Sequence, residues 1–84
     1  MKKKIILKNK KKYDEILRKS LSIKIKSLNE LNSTTNKNWD SIGHMTIITN
    51  LEKKFQISFK SNDIIKFNSY KEGLKILRKY KIKI

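Results

Sequence analysis

Apolar residues recur along this 84-residue chain at three- and four-residue intervals, in blocks separated by polar stretches. Tyr13, Ile16, Leu17 and Leu21 form one stripe and predict a helix over about residues 5–21. Residues 22–40 show no sustained period and are rich in Ser, Asn and Thr, with Asn32-Ser33-Thr34-Thr35-Asn36 as the clearest loop signal. That loop is long for a small domain, and Ile23, Ile25, Leu28 and Leu31 are expected to pin it to the core. A second helix opens at Asp40-Ser41, residue types that favour an N-cap. Ile42, Met45, Ile48, Leu51 and Phe55 then follow at helical spacing, and Ile47 broadens the stripe. Gly43 weakens helix propensity in the first turn, so packing must hold that end.

Phe55-Gln56-Ile57-Ser58-Phe59 alternates as a strand would, but a lone strand has nothing to pair with, so an extended connector is predicted. Ser61 is the expected cap of a short third helix, Asn62 to Phe67, with Asp63 near its positive end. Ser69 is expected to cap a fourth helix that turns Tyr70, Leu74, Leu77 and Tyr80 inward, with Ile76 helping from the side. Phe55, Phe59 and Phe67 are expected core, and Trp39 is expected to pack over the loop before the second helix. The pattern therefore predicts an all-α fold: one domain, a small four-helix bundle with a long loop between helices 1 and 2 and a short third helix.

Charge changes the picture less than its size suggests. Lys and Arg number 22 against 7 acids, a formal net charge of +15. The chain also lacks Ala, Val and Pro while Lys, Ile and Asn abound, a joint bias typical of AT-rich coding. A solvated basic surface follows from that bias alone. The alternative is a small basic helical nucleic-acid-binding protein, with Lys2, Lys3, Lys4, Lys8, Lys10, Lys11 and Lys12 on phosphates. Against it, no helix presents an Arg/Asn/Gln recognition face and no aromatics interleave with the lysines, so no specific nucleic-acid partner is expected. The basic opening segment holds only Ile5-Ile6-Leu7 as an apolar run, too short for a signal peptide or a membrane span. By itself it would give only weak attachment to an anionic membrane. No stable membrane insertion and a cytoplasmic location are the expectations.

Candidate chemistry is sparse. Without cysteine there is no disulfide framework or thiolate metal site, and the single histidine cannot build a histidine cluster. No metal site is expected. Asp40, Ser41 and His44 invite comparison with a hydrolytic triad, but no Gly-x-Ser-x-Gly elbow is present, and one helical turn rarely aligns three such groups with an oxyanion hole. His44 is expected at the surface or against a partner. Gly43 and Gly73 stand alone, which excludes a phosphate-cradling glycine loop.

Trp39-Asp40-Ser41-Ile42-Gly43-His44-Met45, followed by Leu51-Glu52-Lys53-Lys54-Phe55-Gln56-Ile57, resembles the acyl carrier protein family. Members of that family open their second helix with Asp-Ser-Leu or Asp-Ser-Ile and carry Leu-Glu-x-x-Phe-x-Ile about ten residues later. Phe59, Asp63, Ile64-Ile65, Phe67, Ser69-Tyr70, Leu74 and Leu77 continue the likeness, and Ile16 to Ile23 is similar to the end of the family's first helix. The resemblance covers residues 13–80 as a carrier core, with residues 1–12 as a basic extension or the start of the first helix. It implies a four-helix bundle of acyl-carrier type and a non-catalytic carrier, with Ser41 as the attachment point of 4′-phosphopantetheine derived from coenzyme A. The arm's thiol would hold an acyl or aminoacyl group as a thioester.

The resemblance further implies a phosphopantetheinyl transferase and acyl-loading and acyl-accepting enzymes as partners, met by a monomer. Asp40, Ile42, Met45, Thr49 and Glu52 are the expected recognition residues. One departure stands out: Glu52 is the only acid between Ser41 and Phe55, where the family usually has an acidic helix facing basic enzymes. Like charges would oppose docking to such a partner, which points to a specialised lipid, peptide or polysaccharide pathway.

Overall fold

A computed structural model describes residues 2–84; Met1 and the side chain of Lys2, both within the expected basic extension, lie outside what is described. The chain forms four helices: α1 (Lys2–Leu21), α2 (Ser41–Phe55), α3 (Ser61–Lys66) and α4 (Tyr70–Lys79). No strand occurs among the described residues, only an isolated antiparallel bridge between Asn32 and Ser69. The all-α class and the short third helix are therefore as expected.

Helix α1 starts three residues earlier than its stripe predicts, since Lys2 to Lys12 is helical although Lys3 to Lys12 make little core contact. Its inward residues Tyr13, Leu17 and Leu21 are almost fully buried and pack with Ile47, Ile48 and Leu51 of α2 and with Phe67, Tyr70, Ile76 and Leu77. Helices α1 and α4 are stitched by two hydrogen bonds. Tyr13 donates its hydroxyl to the Tyr70 carbonyl at 2.8 Å, and Tyr70 donates its own to Asp14 Oδ1 at 2.6 Å. Gly73 permits this closeness, since a Cβ there would run into the Tyr13 hydroxyl and the Phe67 ring.

Several expectations need correction. In α2 the inward face is Gly43, Ile47, Ile48 and Leu51, whereas Ile42 is 79% exposed and Met45 49% exposed. Ile42 and Leu51 lie on opposite sides of a 3.6-residue helix, so Ile47 rather than Ile42 fills the core position. Phe55 is only half-buried, Ile76 is core rather than lateral, and Ile25 lies exposed while Leu28 and Leu31 alone of its group are fully inside. Ser61 is the first helical residue of α3; the N-cap is Lys60, without a side-chain capping bond, and Phe67 is the C-cap.

Asp63 is not merely a dipole partner at the start of α3. It is buried, accepting hydrogen bonds from Lys79 Nζ at 2.7 Å and from the Tyr80 hydroxyl at 2.5 Å. Tyr80 also accepts from the Lys60 amide, so one tyrosine and one carboxylate clamp α3 onto the end of α4.

The long loop is ordered by polar groups as well as by the buried Leu28, Leu31 and Trp39. Asn32 Oδ1 accepts from the amides of Thr34 and Thr35, an Asx-type turn. Tyr70 N donates to Leu31 O and Ser33 N to Asn68 O, tying the loop to the start of α4. Arg18 grips the carbonyls of Ile25 and Lys26, and Asn38 Nδ2 donates to Leu21 O. The loop thereby delivers Trp39 and Asp40 to the start of α2.

Candidate functional site

Asp40 is the N-cap of α2, with extended backbone and Oδ1 accepting from Gly43 N at 2.9 Å. The Asp40 carbonyl accepts from His44 N. Ser41 is therefore the first helical residue rather than the cap, and its side chain is exposed. A group bonded to its oxygen would sit beside the positive end of a fifteen-residue helix dipole, an environment that favours an anion.

Gly43 sets how closely the loop approaches this end. A Cβ at that position would collide with the Asn38 carbonyl oxygen and press on Leu21 Cδ2. The low helix propensity of glycine is thus offset by close packing of the helix start against α1 and the loop.

His44 departs from the surface role expected of it. Trp39 Nε1 donates to His44 Nδ1 at 3.1 Å, and His44 Nε2 lies 2.8 Å from the Ile64 carbonyl. An indole N–H only donates and a carbonyl only accepts, so the ring is neutral with its proton on Nε2. Both ring nitrogens are thereby engaged in tying α2 to Trp39 and α3, and neither is left to activate Ser41. Trp39 is buried, and its ring lies edge to edge with the imidazole, the two planes 26° apart.

Two hollows meet at Ser41. A cleft of about 420 Å³ runs toward α3, walled by Ser33, Trp39, His44, Ile65 and Asn68. A shallow, open hollow of about 480 Å³ lies on the outer face of α2 itself, over Ile42, Met45, Thr46 and Thr49. Ile42, Met45 and Ile65 (74% exposed) make an apolar rim around the serine. Asp40, Ile42 and Met45 thus lie around Ser41, and Thr49 lies about 12 Å further along α2 on the same hollow. Glu52 stands apart: its Oε2 accepts from Phe59 N at 2.8 Å, fixing the turn that leaves α2.

Ile65, Ser33 and Asn68 were not foreseen as neighbours of Ser41. Ile65 follows Ile64 in a six-residue helix, too short for periodicity to separate the half-buried residue from the exposed one. The other two arrive through the pairing of the long loop with the start of α4.

No helix among the described residues is long and apolar enough to cross a membrane. In comparisons with known proteins, no family model, curated protein or solved structure matches the chain.

Proposed function

We propose that this chain is a carrier protein whose Ser41 bears a 4′-phosphopantetheine arm and presents a thioester-linked acyl or aminoacyl group to partner enzymes. The observation that carries the reading is the position of Ser41. It is exposed, at the first residue of α2, next to a capping Asp40 and between two hollows that an arm could follow. The residues fit such a group. A phosphodiester on Ser41 would lie at the positive end of α2, whose first turn Asp40 already steadies through Gly43 N.

The arm, when bound, supplies the thiol that the cysteine-free chain lacks. The chain's own residues anchor and display it. Asp40 fixes the helix start and leaves an exposed carboxylate to meet a phosphopantetheinyl transferase and its magnesium. Ile42, Met45 and Thr49 offer an apolar, uncharged face to acyl-loading and acyl-accepting enzymes. Glu52, set apart from that face and bonded to the Phe59 amide, is a further contact for partners in this reading. The chain performs no chemistry itself: His44 is bonded on both ring nitrogens, which supports Ser41 as a point of attachment rather than a catalytic nucleophile. A basic rather than acidic end to α2, at Lys53 and Lys54, favours a dedicated pathway over housekeeping fatty-acid synthesis.

The reading is tested by incubating the protein with coenzyme A, magnesium and a broad-specificity phosphopantetheinyl transferase and weighing the intact product.

A further inference from the structure

Between α1 and α2, on the flank away from the Ser41 end, lies a groove of about 380 Å³ whose walls are Lys12 and Lys19 from one helix and Lys53 and Lys54 from the other. Ile16 contributes an apolar surface to it, and Asn50 and Glu15, the single acid, complete the lining. The ion pairs among the described residues are Lys71–Glu30, Lys75–Glu72 and Lys79–Asp63, so none of the four groove lysines is neutralised within the chain. Upstream, Lys4 and Lys8 continue the Lys12 row at four-residue spacing. From Lys4 to Lys19 that basic edge extends for about 22 Å at the helical rise.

We propose that this groove docks an acidic peptide segment of a partner protein, with carboxylates on the lysine walls and an apolar side chain against Ile16. Charge complementarity selects an anionic occupant, because the carboxylates are the countercharge these lysines lack. A second copy is disfavoured, since it would bring another +15 against this face. The apolar contribution of Ile16 argues for a peptide over a phosphodiester backbone, which has no aliphatic group to set there. Concavity argues against a flat lipid surface, which cannot reach between two packed helices. The site is remote from the serine along α2, and the proposal stands whether or not Ser41 is modified.

The test uses the full, unmodified chain and a fluorescently labelled helical peptide of glutamates with leucines along one face. The expected result is binding that weakens about tenfold in the variant Lys12→Gln/Lys19→Gln/Lys53→Gln/Lys54→Gln. The variant Lys24→Gln/Lys26→Gln/Lys37→Gln/Lys66→Gln, of equal net charge, should bind almost as the parent does. A peptide with serines in place of the leucines should bind more weakly. Amide chemical-shift mapping on the unsubstituted protein should place the peptide at residues 12–19 and 50–54, which keeps the test decisive if a variant fails to fold. Equal weakening by both variants, indifference to the leucines, or shifts elsewhere would overturn the proposal. So would groove-dependent binding of oligothymidylate or phosphatidylglycerol vesicles that matches or exceeds that of the peptide.

Discussion

The indole N–H of Trp39 is directed at Nδ1 of His44 across 3.1 Å, joining the residue that ends the long loop to the first turn of α2. Because His44 Nε2 then reaches the Ile64 carbonyl, one imidazole links the loop, α2 and α3 around the candidate attachment serine. Trp39→Phe keeps most of the buried ring but removes the donor, leaving Nδ1 without its partner. The expected cost is about 1–2 kcal/mol in chemical denaturation followed by far-UV circular dichroism. Loss of only a few tenths would mean that the bond does not organise this end of the bundle.

Gly43→Ala provides a test with opposing terms. Alanine is the better helix former by about 1 kcal/mol, so propensity alone predicts stabilisation. The added methyl, however, meets the backbone carbonyl of Asn38, which cannot swing aside as a side chain can. A net loss of about 1–3 kcal/mol is expected, read from the denaturation midpoint. A more stable variant would show that the loop does not approach α2 this closely.

The limits of sequence reading show at these same positions. The four helices, the loop and the inward roles of Tyr13, Leu17, Leu21, Ile48, Leu51 and Leu77 were legible because their spacing repeats over several turns. The inward side of the first turn of α2 was not. Ile42 continues the stripe in three-residue steps, but about 100° per residue carries it to the side opposite Leu51, and Gly43 takes the inward place. The bond of His44 to Ile64 and the bonds of Asp63 were also invisible, because each joins residues sixteen or more positions apart through single polar atoms that leave no period. The exposed serine and its capping aspartate were legible from the local motif, while Ile65 reached the same surface only through tertiary packing.

Acid should release the clamp at Asp63. The hydrogen bond from Lys79, followed by that from Tyr80, holds this carboxyl below its ordinary value of 3.8, while desolvation works in the opposite direction. With the folded value depressed, the contribution to stability is present above about pH 4 and is lost as pH falls through the folded value. Asp63→Asn should therefore lower the melting temperature at neutral pH and flatten its decline below pH 4. An unchanged acid limb in the variant would assign that limb to other carboxylates.

Alkali acts on the other side of the core. Burial, then the charges of Tyr70 and Asp14, push the Tyr13 hydroxyl well above its ordinary value of 10.0. Burial, followed by the Asp14 hydrogen bond, also raises Tyr70. These raised values contribute stability that is complete below about pH 10 and is lost as pH rises through the folded values. Tyr70→Phe should be less stable at neutral pH by about 1 kcal/mol, from the lost bond to Asp14, yet lose less on titration above pH 10. Parallel alkaline limbs for parent and variant would contradict the assignment.

The central claim concerns Ser41, and intact-mass spectrometry after treatment with coenzyme A, magnesium and a phosphopantetheinyl transferase addresses it most directly. The account predicts addition of a single phosphopantetheine to the parent chain and none to Ser41→Ala, with the variant retaining the parent's helical circular dichroism. An unmodified parent across several such transferases, or an alanine variant that is still modified, would contradict it.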